Sequence, residues 1–305
     1  MTRISDLGFQ QILLSSFQRA QSGAQERQVQ LATGKVSDRY SGVGVRTAEL
    51  LNAEGVINRA TAYETAAGVA ASRLQIQESS LSTIADSVAR LRQRFITALS
   101  TGSAELIGPE LQTETQRIVS ALNTEAGGVY VFGGTDGSVP PVAARSLDDV
   151  VAAASVDDLF VDAGRTRLPV EEGTSVDGGA TAEEIGRDTL ARLKELAEAP
   201  ATLGPFVGQL TQAQSQFLVQ KIAEFDQLSA AIIARQGENG IAQAQVEDAT
   251  DRNVQRRNLA ELVAAEIENV DLAEVIARLD QDRLAIEAAA QALAQSRELS
   301  LLNFL

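Results

Sequence analysis

The chain has 305 residues, of which 44% are hydrophobic but only 4% aromatic, and its formal net charge is −15. Histidine, cysteine and tryptophan are absent, which excludes thiol nucleophiles, disulfides, imidazole bases and the commonest transition-metal ligands. The acidic charge argues against a nucleic-acid partner and an anionic membrane surface, since both need basic residues. No apolar run approaches the ~20 residues that cross a bilayer, so no membrane span is predicted.

The N-terminal segment predicts a helix with a weak apolar stripe. Large apolar residues and glutamines recur along it at spacings of three and four residues: Ile4, Leu7, Gln11, Leu14, Gln18 and Gln21. This spacing is typical of one face of an α-helix. The segment lacks the apolar core of a secretory signal, so we expect export without a cleaved signal peptide.

The next segment predicts a long helix with a heptad seam. Its seam positions alternate at three and four residues: Leu74, Gln77, Leu81, Ile84, Val88, Leu91, Phe95 and Ala98. A seam held for more than three heptads is typical of helices that lie side by side. Gly102, Gly108 and Pro109 are expected to end this helix, and a second helix is predicted from Glu110.

The central stretch 129–204 differs in composition from both flanks. It holds four of the six prolines, with a fifth directly after it at Pro205, and carries 14 acidic against 6 basic residues. Short β-like runs at 129–132, 159–161 and 166–170, separated by glycine-rich turns, predict strands. Residues 185–199 predict a short helix. We therefore predict a mixed β/α insert domain over 129–204.

The C-terminal part again predicts long helices. One stripe contains Leu218, Ile222, Phe225, Ser229 and Ile232. Gly237 and Gly240 are expected to interrupt it, because glycine is a poor helix former. A further helical segment carries Leu259, Leu262 and Val263. A last stripe follows, with Arg283 at one of its positions: Leu272, Ile276, Leu279, Ile286, Ala290 and Leu293.

Each terminal stripe can be buried only against a long partner helix, and the other terminus is the most economical partner. The sequence therefore predicts a mainly α protein, in which both termini form a long helical bundle or coiled coil and a small mixed α/β insert domain lies in the middle. The predicted domains are 1–41 with 268–305 (terminal coiled coil), 42–128 with 205–267 (helical rod) and 129–204 (outer insert). The insert is expected to project from the far end of the bundle.

A two-helix rod with a thin apolar stripe buries too little surface to offset its ordering entropy. The last six residues, 300–305, add four large apolar side chains at the chain end, which could dock on the protein's own core or on neighbouring subunits. We favour neighbouring subunits. The predicted assembly interface consists of Ile4, Leu7, Leu14, Leu272, Ile276, Leu279, Ile286, Leu293, Leu301, Leu302, Phe304 and Leu305.

No constellation of residues predicts an enzyme, and no catalytic, cofactor-binding or metal-binding residue is predicted. Gly34-Lys35 is not a phosphate loop, because Val29 stands where that motif needs a glycine. The acidic pairs of the insert lack the spacing of a calcium loop. Arg90, Arg92 and Arg94 are either solvent-facing or paired with carboxylates of a neighbouring subunit, and the sequence leaves both open.

Three segments resemble the flagellin superfamily. In Leu-Ala-Thr-Gly-Lys at 31–35, Thr33, Gly34 and Lys35 match a stretch of that family, although Tyr40-Ser-Gly-Val-Gly replaces the acidic pair that usually follows. Val-Tyr-Val-Phe-Gly-Gly at 129–134 resembles the family's exit into its variable domain. The ending Leu-Ser-Leu-Leu-Asn-Phe-Leu at 299–305 is similar to that of hook–filament junction proteins.

The resemblance implies an extracellular structural subunit of the bacterial flagellum that joins hook to filament and is exported unfolded by the flagellar type III apparatus. Its implied partners are further copies of itself in a ring-like or helical assembly, a neighbouring hook-associated protein, flagellin, and an export chaperone on the C-terminal helix at about 263–305. No cofactor is implied. Two alternatives remain: a filament-forming flagellin, and an unrelated coiled-coil binding protein.

Overall fold

The computed structural model describes the backbone of residues 2–302 and the side chains of residues 11–295. The helices are α1 (Thr2–Thr33), α2 (Tyr40–Val43), α3 (Thr47–Thr101), α4 (Ile107–Leu122), α5 (Leu147–Ala152), α6 (Ala182–Glu198), α7 (Pro200–Leu203), α8 (Gln212–Glu268) and α9 (Leu272–Leu302). The strands are β1 (Glu125–Ala126), β2 (Val129–Tyr130), β3 (Arg167–Glu171) and β4 (Thr174–Asp177). The predicted mainly α fold with a small mixed insert is confirmed.

The chain divides into two compact units. The terminal unit contains residues 1–59 and 256–305, and the central unit contains residues 60–255. The long helices α3 and α8 contribute residues to both units. The three-part division made from the sequence stays a prediction.

The seam predicted on α3 lies in the buried core of the central unit. All eight of its residues, from Leu74 to Ala98, are no more than 3% exposed. On α8 the buried positions recur at the same alternating spacing, at Leu218, Phe225 and Ile232 and onward through Ala242, Val246 and Ala249. Phe95 and Phe225 meet edge to face, with ring centroids 5.2 Å apart. Apolar residues at every turn explain why these segments form paired helices.

The expected interruption at Gly237 and Gly240 is wrong, because α8 runs unbroken from Gln212 to Glu268. Both glycines lie on the solvent side, where an added Cβ would meet no atom within 4 Å. The seam residues beside them, Asn239 and Ala242, are buried, and Asn239 donates hydrogen bonds from Nδ2 to the Leu74 carbonyl and to Glu78, each 3.0 Å long. These tertiary contacts override the low helix propensity of glycine.

Gly237→Ala and Gly240→Ala are each expected to raise the free energy of unfolding by about 0.5–1 kcal/mol, because alanine has less conformational entropy to lose and meets no obstacle here. Urea unfolding measures this effect. Gly23→Ala is the matched control. A Cβ on Gly23 would lie 2.8 Å from Oδ2 of Asp282, so this third substitution should not stabilise. A loss of stability in both α8 variants would contradict the assignment of a solvated, regular helix.

The structure has two antiparallel hairpins: β1–β2, whose first strand precedes the insert, and β3–β4, which lies within it. The strands predicted at 129–132 and 166–170 are present as β2 and β3, and the helix predicted at 185–199 is α6. The strand predicted at 159–161 is wrong: Asp157–Leu159 is a 3-10 turn, and Phe160 forms a single bridge with Val142. Helix α5 and strand β4 were not predicted from the sequence. Both are short, and their residues show little hydrophobic periodicity.

The β3–β4 hairpin lies along α3 and α8, whereas the insert was expected to project from their far end. Val170 and Val176 are buried in one cluster with small helical residues: Ala67, Ala70, Ala242 and Ala249. Asn253 donates a 2.8 Å hydrogen bond from Nδ2 to the Val170 carbonyl. Alanines leave a shallow seam between two helices, and the hairpin covers it as a third layer.

The pKa of Asp149 is lowered, chiefly by the hydrogen bond from the Arg145 backbone N–H, 2.8 Å from Oδ2. This carboxylate and Ser146 form the capping box of α5. Since the folded pKa lies below the unfolded value of about 3.9, its contribution to stability is complete above that value and disappears as the pH falls through the folded pKa.

Asp149→Asn is therefore expected to lower the free energy of unfolding at pH 7. The difference from the unchanged protein should shrink as the pH falls below about 4, because the native carboxylate then becomes protonated as well. Urea unfolding at a series of pH values measures this. A difference that stays constant from pH 7 to pH 2 would contradict the capping role.

Candidate assembly interface

The terminal unit is built on an antiparallel pair, α1 and α9. Lys35 pairs with Asn269 in an antiparallel bridge at one end, and Gly23 lies beside Asp282 further along. The seam of α1 contains buried or half-buried Leu13, Phe17, Ala20 and Ala24. The seam of α9 contains Val275, Leu279, Ile286, Ala289 and Leu293. The predicted pairing of the two ends of the chain is present.

The seam predicted on α1 is wrong by one position. Gln11, Leu14, Gln18 and Gln21 are exposed, and the α9-facing stripe runs through Leu13, Phe17 and two alanines instead. The predicted α1 stripe contains no alanine, yet the small side chain of alanine allows close approach of two helices. The glutamines hydrate well and gain nothing from burial.

Only part of the stripe predicted on α9 packs against α1. Leu279 is buried against α1, and Ile286 and Leu293 are half-buried. Leu272 and Ile276 are 51% and 49% exposed, and Ala290 is exposed as well. Val275 and Ala289 take their places in the seam. Leu272 and Ile276, one turn apart, therefore form an outward patch on α9.

Several residues of the predicted interface lie outside the described side chains. These are Ile4, Leu7, Leu301, Leu302, Phe304 and Leu305. Among the described members, Leu14, Leu272 and Ile276 face solvent. Their role in assembly stays a prediction.

A second outward apolar patch was missed as an interface. Leu259 is 65% exposed, Leu262 68% and Val263 37%, on one face of α8. Their spacing of three and four residues puts them together, while the inner face carries Ala260, Ala264 and Ile267. The sequence could have predicted this patch, because Leu259, Leu262 and Val263 lie on a different helix face from Ala260, Ala264 and Ile267.

The charge of the two units differs. The terminal unit holds 12 basic and 14 acidic residues, and the central unit holds 14 basic and 27 acidic residues. The net charges are therefore −2 and −13. Copies of this chain can approach through the terminal unit with little electrostatic repulsion, whereas contact between central units brings like charges together.

The three arginines of α3 keep 28% to 41% of their side-chain surface exposed, and their pairing with a neighbouring subunit stays a prediction. Each forms an ion pair with a carboxylate on another helix of the same chain: Arg90 with Glu114, Arg92 with Asp226, and Arg94 with Glu110. Glu114 is only 2% exposed. These arginines join α3 to α4 and α8.

Among the described side chains of residues 11–295, no group of three or more acidic residues is placed to hold a metal ion, and no described helix is long and apolar enough to cross a membrane. A cleft of about 210 Å³ lies in the central unit. The charged groups at this cleft are engaged with each other, since Arg165 bonds both Asp177 and Glu238.

Comparisons with known proteins agree with the helical architecture. Residues 4–136 match the bacterial flagellin N-terminal helical region. The fold is similar to that of a flagellar hook-associated protein from Vibrio parahaemolyticus, with 16% identity and a TM-score of 0.58 over 73% of this chain and 97% of that one. FlgL of Bacillus cereus is similar at 18% identity, with a TM-score of 0.50 over 69% and 98%. No curated protein matches.

The match begins near the start of α1 and ends just after β2, so it includes the whole of α3 and its seam. The identities to the two solved structures are low, and their likeness concerns the fold. Residues 4–136 thus match the bacterial flagellin N-terminal helical region, and the predicted resemblance to the flagellin superfamily is confirmed.

Proposed function

We propose that this chain is a non-enzymatic structural subunit of the bacterial flagellum, located at the junction of hook and filament. The observation that carries the proposal is the terminal unit: a thin antiparallel helix pair with outward apolar patches and a net charge of only −2. Large apolar side chains left in water are typical of a surface that another protein covers. The central unit, at −13, is suited to face solvent.

We propose that the same surface binds the partners. Further copies of the chain would be joined through Leu14, Leu272 and Ile276 in a ring-like or helical assembly, with a hook-associated protein on one side and flagellin on the other. The subunit would be extracellular in the assembled flagellum. The ending Asn303-Phe304-Leu305 resembles that of hook–filament junction proteins, which favours the junction over the filament.

An export chaperone is the remaining proposed partner. Its contact is placed at about 263–305, since Val263, Leu272 and Ile276 are all exposed in this segment. Deleting the last forty residues should abolish co-purification with the chaperone. Undiminished binding by the shortened chain would exclude this segment as the contact.

Deletion of the gene tests the junction role against that of a flagellin. A strain without the junction subunit should have hooks but no filaments, and should release flagellin into the medium, because exported flagellin has nothing to attach to. If the chain is itself the flagellin, filaments and released flagellin should both disappear. Normal filaments and normal motility in the deletion strain would contradict both flagellar roles and favour an unrelated coiled-coil binding protein.

A further inference from the structure

An open groove of about 780 Å³, here named the α3–α4 groove, lies between these two helices in the central unit. None of the described residues that line it is acidic, and the charged residue among them is Arg117. Hydroxyl groups make up most of its polar lining, those of Ser79, Ser80, Thr83, Thr113, Ser120 and Thr124. The groove therefore differs from the central unit as a whole, which carries 27 acidic and 14 basic residues.

Arg73 lies at one end of the α3–α4 groove, one helical turn before the groove residue Ile76. The Arg73 side chain is half-buried, and its Nη2 donates to the Val131 carbonyl over 2.9 Å. No carboxylate among the described residues pairs with it, and its buried Nε has no acceptor. Burial lowers the pKa of Arg73, but an arginine still remains charged at neutral pH. A half-buried cation without a counterion is unfavourable in the isolated chain.

The fold does not depend on the hydrogen bond that Arg73 donates. Gln77 is 1% exposed and donates to the same Val131 carbonyl from Nε2 over 2.6 Å, so this carbonyl has a partner without Arg73. Val69 lies one turn before Arg73 on the same helix face and is 67% exposed. An unpaired guanidinium beside exposed apolar surface suits a carboxylate that another protein carries.

The second arginine of the groove also has charge to spare. Arg117 is 51% exposed and shares the buried Glu114 carboxylate with Arg90, at 3.6 Å and 3.1 Å. Two guanidinium groups therefore share one carboxylate. Gln75 and Gln116 are exposed along the groove as well and can donate hydrogen bonds outward. Contact between central units brings like charges together elsewhere, but an acidic surface meets complementary charge at this groove.

We propose that the α3–α4 groove binds an acidic surface on the central unit of a second copy of this chain. The excess of acidic residues on that unit supplies the carboxylates, and the groove supplies guanidinium, amide and hydroxyl donors. Arg73 pairs with a carboxylate of the second copy and so gains the counterion that its own chain lacks. The proposal rests on the proposed function only in requiring that copies of the chain meet in one assembly.

Photo-crosslinking from the groove identifies what occupies it. The photoreactive amino acid p-benzoylphenylalanine replaces Ser79, an exposed groove residue. The matched control position is Val207, which is 67% exposed and lies outside the groove. Irradiation of a whole culture should join the Ser79 variant to a second copy, with mass spectrometry locating the crosslink within residues 60–255. Because the whole culture is irradiated, the result does not depend on whether the assembly is at the hook–filament junction.

Three outcomes of this crosslinking would overturn the proposal. The first is the absence of a product with twice the monomer mass from the Ser79 position. The second is a crosslink from Ser79 to a different protein or to the terminal unit of a second copy. The third is an equal yield of the doubled product from Val207.

Arg73→Met in the same background separates binding from folding. The yield of the Ser79 crosslink should fall about tenfold, the effect of one lost charge-assisted hydrogen bond, whereas Arg73→Lys keeps the charge and should retain most of the yield. Urea unfolding of purified Arg73→Met should show a stability equal to or above that of the unchanged chain, because no internal ion pair is lost. An unchanged crosslink yield in Arg73→Met would overturn the proposal. A loss of stability in both variants would also overturn it, because Arg73 would then serve the fold of its own chain.

Discussion

Replacing Leu272 and Ile276 together by glutamate is expected to abolish assembly while leaving the isolated subunit folded. Both side chains are about half exposed on the outer side of α9, so neither contributes to the seam with α1. In an assembled interface each would be covered by a neighbouring subunit. Two buried carboxylates without partners would there cost several kcal/mol, which corresponds to a loss of affinity on the order of 100-fold or more.

The measurement is complementation of a deletion strain, with filament number counted by electron microscopy and the export of the variant checked in the medium. The matched control is Val139→Glu with Val151→Glu, two exposed valines of the insert that should support normal filaments. Circular dichroism should give the same helix content for all variants. Normal filaments with the Leu272 and Ile276 replacements would exclude this face of α9 from the interface.

Phe95→Ala is expected to lower the free energy of unfolding by about 3–5 kcal/mol, the range for truncating a fully buried aromatic residue. Phe95 is completely buried on the α3 seam. It belongs to the largest apolar cluster, which joins α3, α4, α6 and α8. The edge-to-face contact with Phe225 on α8 is lost with it.

Urea unfolding of the Phe95→Ala protein measures this loss. Val69→Ala on the same helix is the control, because Val69 is 67% exposed and should change the stability by no more than about 0.5 kcal/mol. A loss below about 1 kcal/mol in Phe95→Ala would mean that α3 and α8 do not share the tight seam described here.

The α3 seam was predictable because nearly every position is a large aliphatic or aromatic residue. From Leu74 to Ala98 one stripe alone fits the 3–4 spacing, and all of it is buried. On α1 two stripes compete, one through Leu14 and the glutamines and one through Leu13, Phe17 and the alanines. A hydrophobic pattern cannot choose between such stripes, since the choice depends on how closely α9 approaches.

Contacts between distant parts of the chain were not predictable from local pattern. The ion pair of Arg92 with Asp226 joins residues 134 positions apart. Helical periodicity relates only residues three or four positions apart, so it could not predict this pair. The hairpin β3–β4 lies against α8 through the Asn253 side chain and the Val170 carbonyl. The glycines of α8 were misread because their helix is held by its buried face, which the exposed side does not reveal.

The most direct test of the junction role is immunogold electron microscopy of isolated flagella, with an antibody raised against residues 129–204. The account predicts gold label in a single narrow band where hook meets filament. Label along the whole filament would contradict the junction and make the chain a filament subunit. A complete absence of label from intact flagella would contradict a flagellar location.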